Sequence, residues 1–126
     1  MDQPLRILIV DDEASQRSGL AAMVTAWGMT AVTAADGREA LDKLSETDVD
    51  VIVTDLNMPG MDGFAVARQL RQDEQTRNIV IVAFTAQDED IIHVQAIAAG
   101  FDGYCQKGPP LDSLLRLLEQ IAQVPC

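Results

Sequence analysis

The sequence predicts an α/β fold: a doubly wound, five-stranded parallel sheet in the order 2-1-3-4-5, with five helices covering its faces. Three observations predict it. Short β-branched runs alternate with helical periodicity along the whole chain. Three of those runs, Ile7-Leu8-Ile9-Val10, Val51-Ile52-Val53-Thr54 and Ile79 to Phe84, are continuously apolar, as strands buried on both faces are. Polar residues then stand just beyond the runs: Asp11 and Asp12, Asp55, Thr85, and Lys107 after the stretch from Phe101 to Gln106.

Each element has its own signal. After the first strand, Leu20, Met23, Val24 and Trp27 recur at helical spacing, and Gly28 suits a C-terminal cap. A second strand is expected around Thr30 to Thr33. Asp36 reads as the N-cap of the second helix, with Glu39 three residues on and Ala40, Leu41 and Leu44 as its apolar stripe. The third strand covers Val51 to Thr54. Its loop carries Pro59 and Gly60, and a third helix runs from about Gly63 to Arg71. The fourth strand is expected at Ile79 to Phe84 and the fourth helix at Asp88 to Ala99, stopping at Gly100. A short fifth strand follows at Phe101 to Cys105. The last helix starts just after Pro109-Pro110, where proline tolerates a first turn, and lines up Leu111, Leu114, Leu115, Leu118, Ile121 and Ala122.

With right-handed crossovers, this strand order sets the first, third and fourth strands side by side. Ligands of such sheets lie beyond the carboxyl ends of the strands, at the switch point, which is where Asp11, Asp12 and Asp55 fall.

A chain of 126 residues with 48% apolar content suits one domain, and no repeat or linker divides residues 1–126. The apolar runs are too short to span a bilayer and no charged-then-apolar leader precedes Asp11, so a cytosolic protein is expected. Twenty acids against nine bases give a net charge of -11, which disfavours direct nucleic-acid binding. Cys105 and Cys126 form neither a disulfide framework nor a zinc site; Cys105 reads as a small core residue and Cys126 as a loose terminal thiol.

A carboxylate at the mouth of a buried strand is costly to hold there without a charged purpose. Three of them about 5 Å apart, at an effective dielectric near 20, repel by about 3 kcal/mol per pair. A divalent cation reverses this, and an all-oxygen set selects Mg²⁺ or Mn²⁺ over zinc. Mg²⁺ keeps waters and commonly takes a phosphate oxygen, so a phosphoryl group would complete the site. Carboxylates can also attack phosphorus and form an aspartyl phosphate. The remaining work is positioning and charge neutralisation, for which Lys107 and the hydroxyl of Thr85 are suited. Asp55 fits the nucleophile best because it ends a central strand, although spacing alone leaves the choice among the three acids open.

These residues resemble a known family. Val10-Asp11-Asp12-Glu13, the stretch Thr54-Asp55-Leu56-Asn57-Met58-Pro59-Gly60-Met61-Asp62-Gly63, Thr85-Ala86, and Tyr104 three residues before Lys107 are similar to a receiver domain of two-component signalling, a flavodoxin-like fold. The resemblance covers essentially the whole chain. It implies that Asp55 accepts a phosphoryl group from the histidine of a kinase or a histidine phosphotransfer protein. It implies that Asp12 and Asp55 ligate Mg²⁺ with the Asn57 carbonyl, while Asp11 holds a metal-bound water. Thr85 and Lys107 would bind phosphoryl oxygens, Tyr104 would change rotamer with Thr85, and Asn57 and Gln87 would tune the lifetime of the phosphate. The surface near the last two helices would then be read by a partner, with a phosphorylation-linked dimer as one form of output. The chain departs from the family at Lys107-Gly108-Pro109-Pro110, where proline usually follows the lysine directly.

Plainer readings stand beside these. Asp55 could be an ordinary strand-end cap, and Tyr104 an ordinary strand aromatic. Met58 and Met61 read as gap-fillers. His93, among Asp88, Glu89 and Asp90, reads as part of a solvated face, and Leu117, at the edge of the last apolar stripe, as a weak hint of a dimer contact. A Mg²⁺-dependent, haloacid-dehalogenase-like phosphatase would also place an aspartate after a strand. It needs a second acid two residues on, where this chain has Asn57, which cannot serve as a general acid. A flavin carrier on the same fold would need a Gly/Ser/Thr-rich phosphate loop where this chain has Asp11-Asp12-Glu13. The chain stops at Cys126 just after the last helix, so a stand-alone receiver is expected, or one excised from a hybrid histidine kinase or a longer regulator.

Overall fold

The computed structural model describes residues 4–58, 60–107 and 112–123. Its elements alternate throughout: β1 (Arg6–Val10), α1 (Ala14–Ala26), β2 (Thr30–Ala34), α2 (Gly37–Glu46), β3 (Val51–Thr54), α3 (Gly63–Gln72), β4 (Val80–Thr85), α4 (Glu89–Ala99), β5 (Gly103–Gln106) and α5 (Asp112–Gln123). All neighbouring strands are parallel and the order is β2-β1-β3-β4-β5, as the sequence predicts.

The continuous apolar strands are explained by burial on both sides of the sheet. Ile7 and Ile9 of β1 pack with Val51 and Val53 of β3 against Leu20 and Val24 of α1 and Leu114 and Leu118 of α5. Their neighbours Leu8, Val10 and Ile52 face the other way, onto Ala40 of α2 and Val66, Ala67 and Leu70 of α3. One β-strand thus feeds two cores, and each residue in it is committed to one of them. Leu117, half-buried, packs into the α1/α5 core, with its methyl groups against Gly103. Met58 is buried and Met61 half-buried in the α2/α3 core, the gap-filling role expected of them, and Cys105 is buried in β5.

Local signals hold at the helix ends. The Asp36 side chain accepts from the Glu39 amide at 2.8 Å, and the Glu39 carboxylate accepts in turn from the Ala35 amide at 2.7 Å. Gly28 follows α1 at φ +88°, and Gly100 ends α4 at φ +98°.

The fifth strand departs from expectation, beginning at Gly103 instead of Phe101. The Phe101 amide still closes α4 by donating to the Ala96 carbonyl, and its ring meets Phe64 edge-on at 6.0 Å. Only after the Asp102 amide reaches the Ile81 carbonyl does the chain pair with β4. The fourth strand is likewise displaced by one residue: Ile79 belongs to a turn closed onto Thr76, and Thr85 is the last residue of β4 instead of the first beyond it. Pro59, Gly108, Pro109, Pro110, Leu111 and Cys126 lie outside the described residues, as does the side chain of Ala122.

Candidate functional site at the carboxyl edge

Register assembles the site. Val10 of β1 pairs with Thr54 of β3, so Asp11 and Asp55 leave adjacent strands at the same level, and the Asp55 amide donates to the Val10 carbonyl at 2.9 Å. On the other side Thr54 pairs with Ala83, which carries Thr85 to the same edge. Thr85 pairs with Gln106, and the Lys107 amide donates to the Thr85 carbonyl at 2.7 Å.

The side chains converge accordingly. Carboxylate oxygens of Asp11, Asp12 and Asp55 lie within 4.8 Å of one another. Asp11 is buried, Asp55 half-buried and Asp12 exposed, so the cluster opens to solvent at Asp12. Each inner acid is held on a definite oxygen. Asp11 Oδ1 accepts from the Glu13 amide at 2.9 Å, and Asp55 Oδ1 accepts from the Leu56 amide at 2.7 Å. Their Oδ2 atoms both accept from the Lys107 ammonium, at 2.9 and 3.0 Å. Burial pushes the Lys107 pKa down, but its hydrogen bonds to Asp11 and Asp55 and their negative charge outweigh burial and raise it above the ordinary lysine value. The ammonium therefore stays charged and offsets part of the repulsion among the acids.

Other candidates sit around this centre. The Thr85 side chain is fully buried, and its hydroxyl accepts from the Gln87 amide at 3.3 Å. Tyr104, half-buried beside Leu56, Ala83 and Ile92, donates its hydroxyl to the Gln87 carbonyl. Gln87 and Tyr104 are therefore partnered with each other through the loop that follows Thr85. Asn57 is exposed on the loop after β3. His93 is exposed on α4, as its acidic neighbourhood suggests. Burial raises the Cys105 thiol pKa, which disfavours the reactive thiolate.

Three residues of the site escape sequence reasoning. Glu13 caps α1, accepting from the amides of Ser15 and Gln16. Gln16 Oε1 accepts from the Lys107 ammonium at 2.7 Å, and the Phe84 ring centroid lies 5.8 Å from the same nitrogen. None carried a clear signal: glutamate is not among the residues favoured at an N-cap, and only its charge just before a helical pattern suits the helix start.

The donor set is made of carboxylate oxygens alone, bordered by one ammonium. A small hard divalent cation suits it, and thiophilic metals do not. The open side at Asp12 leaves room for a group approaching from solvent. No helix among the described residues is long and apolar enough to cross a membrane.

Comparison with known proteins agrees with this architecture. The family model for the response regulator receiver domain matches residues 7–119. The response regulator MprA of Mycolicibacterium vanbaalenii is 38% identical over 112 residues, covering 89% of this chain and 48% of that protein. This chain spans about half the length of the curated relatives it matches. Among solved structures, the chemotaxis protein CheY4 of Vibrio cholerae superposes with a TM-score of 0.89 at 32% identity, over 94% of this chain and 99% of that one. The response regulator TrrA of Thermotoga maritima, solved in complex with Mg(2+)-BeF, gives a TM-score of 0.83 at 30% identity, over 93% and 98% of the two chains. The sheet order, the acidic edge and these matches together make the chain a member of the response regulator receiver domain family.

Proposed function

We propose that this chain is the phosphoacceptor switch of a two-component phosphorelay, with Asp55 taking a phosphoryl group from a phosphohistidine on a histidine kinase or phosphotransfer protein. In that step a carboxylate oxygen of Asp55 forms a bond to phosphorus as the P–N bond to the histidine breaks, and the departing imidazole takes up a proton. The observation that carries the reading is the convergence of three carboxylates within 4.8 Å with the Lys107 ammonium bridging Asp11 and Asp55. Asp12 and Asp55, with the Asn57 carbonyl, would hold Mg²⁺, and Asp11 a water bound to it. The ion supplies charge neutralisation for the phosphoryl oxygens. TrrA, solved in complex with Mg(2+)-BeF, supports a Mg²⁺ site here by similarity.

The chain's own residues do the rest. Lys107 pairs with one phosphoryl oxygen in place of its bond to Asp55, and the Thr85 hydroxyl, which accepts from the Gln87 amide, donates to another. Movement of Thr85 would alter the loop whose carbonyl Tyr104 holds, and so couple the phosphate to α4 and β5. The exposed Ile91, Val94 and Ile97 of α4 support a partner contact on that face, whether a target protein or a second copy. On this reading this chain catalyses only its own phosphorylation and dephosphorylation, works in the cytoplasm and does not itself touch nucleic acid.

The test is intact-mass measurement after incubation with acetyl phosphate and Mg²⁺. A labile adduct of one phosphoryl group, absent in Asp55→Asn, is expected, and replacing Gln87 should change its decay. Sustained hydrolysis of phosphate esters with no adduct would instead indicate a phosphatase and overturn the proposal.

A further inference from the structure

Lys107 has one partner that the proposed phosphoryl chemistry does not require. An ammonium carries three N–H donors and no acceptor. Here all three are accounted for by Asp11 Oδ2 at 2.9 Å, Asp55 Oδ2 at 3.0 Å and Gln16 Oε1 at 2.7 Å. The shortest of the three is the neutral one. Gln16 arrives from the first turn of α1, and its own backbone amide is fixed by the Glu13 carboxylate at 3.1 Å. The tether therefore links the lysine just past β5 to the helix that starts two residues after Asp12, 91 positions away in the chain.

A lysine stem is long and flexible, and holding it in one place costs rotamer freedom. Two carboxylates attract the ammonium strongly but leave its third N–H to solvent. A third acceptor completes a tripod and removes that freedom. An amide suits this task better than a carboxylate would, because it orients the ammonium without adding a fourth negative charge to a site that already holds three.

We propose that Gln16 is a positioning residue for phosphoryl transfer, acting through Lys107 by fixing its ammonium between Asp11 and Asp55. This rests on the reading of Asp55 as the phosphoryl acceptor. Gln16 is exposed on α1, so its side chain can be changed with little cost to the core. Gln16→Met keeps the length and removes the acceptor; Gln16→Glu keeps an acceptor at the same reach.

Two measurements test it. In the metal-free protein, the hydrogen-exchange rate of the Lys107 ammonium, read by ¹⁵N–¹H correlation, should rise roughly threefold to tenfold in Gln16→Met, the span of one net hydrogen bond, and stay slow in Gln16→Glu. The rate of Asp55 phosphorylation by acetyl phosphate with saturating Mg²⁺ should fall by a similar factor in Gln16→Met. Unchanged ammonium exchange in Gln16→Met overturns the tether, and changed exchange with an unchanged phosphorylation rate overturns its role in positioning. If the wild-type protein forms no adduct while its ammonium exchange responds to Gln16→Met, the reading of Asp55 fails and the tether stands.

Discussion

Gly63, the first residue of α3, lies against the backbone of Asp55: a Cβ at Gly63 would overlap the Asp55 carbonyl oxygen and come within 3.0 Å of the Leu56 Cα. The Gly63 amide donates to the Leu56 carbonyl at 3.1 Å, so the two segments are hydrogen-bonded as well as close. The glycine is needed for this approach, not for its dihedral freedom. Gly63→Ala must push the Asp55-Leu56 backbone off the sheet edge, because the obstruction is main chain and cannot swing away. A loss of about 1–3 kcal/mol in urea unfolding is expected, with a larger fractional loss of phosphorylation than of stability. Wild-type stability in this variant would mean that the contact yields freely.

Asp12 is the exposed member of the acidic cluster, so its repulsion with Asp11 and Asp55 is partly screened and partly offset by Lys107. On the proposed reading, removing that charge relieves the metal-free protein and weakens cation binding at once. Asp12→Asn should therefore unfold higher in EDTA than the wild type, by about 1 kcal/mol or roughly 3–6 °C. Saturating Mg²⁺ should raise the wild-type midpoint by more than it raises that of the variant, as an ion held by the native state alone would. Thermal scans with and without Mg²⁺ decide the matter, and equal Mg²⁺ shifts in both proteins would remove Asp12 from the cation site.

What was legible in the sequence was whatever the backbone dictates. Ile7 to Val10 and Val51 to Thr54 read as strands buried on two faces because every residue in them serves a core, and parallel pairing then brings Asp11 and Asp55 to one edge. Lys107 follows from pairing of β5 with β4. Gln16 was not legible, because a long exposed side chain on an amphipathic helix has many possible directions and its partner is 91 residues away. The start of β5 was misplaced for a related reason. Phe101 has strand-forming chemistry, but tertiary contacts with Phe64 and the end of α4 claim it first.

Arg71 controls that same corner. Its guanidinium donates to the Gly100 carbonyl through Nε at 2.9 Å and Nη2 at 2.7 Å, to the carbonyls of Arg77 and Ile79 through Nη1, and to the Asp102 carboxylate. One side chain thus ties the end of α3 to the turn before β4 and to the α4–β5 junction. Arg71→Met keeps the stem and abandons three carbonyls, so a loss of about 2–4 kcal/mol is expected. Asp102→Asn should cost less than about 1 kcal/mol, since that carboxylate is half-exposed and an amide oxygen can still accept from the Ile81 amide. Equal urea midpoints for the two variants would assign the work to the ion pair instead of the carbonyls.

The N-terminus of α1 should be sensitive to acid. Hydrogen bonds from the Ser15 hydroxyl and amide, and then from the Gln16 amide, hold the Glu13 carboxyl below its ordinary value of 4.5. A carboxyl whose pKa is depressed on folding stabilises the native state above its unfolded pKa, and that contribution disappears as the pH falls through the folded value. Helix-dipole attraction for the same charge has the same sign. Backbone amide exchange at Ser15 and Gln16 should thus be slower in the wild type than in Glu13→Gln at pH 7, and the two proteins should converge well below pH 4.5. Because the Gln16 amide is one of the groups held, the Lys107 ammonium should also exchange faster in Glu13→Gln at pH 7, by less than in Gln16→Met, where the acceptor itself is gone. A wild-type advantage that persists unchanged in acid would mean that Glu13 caps the helix without its charge.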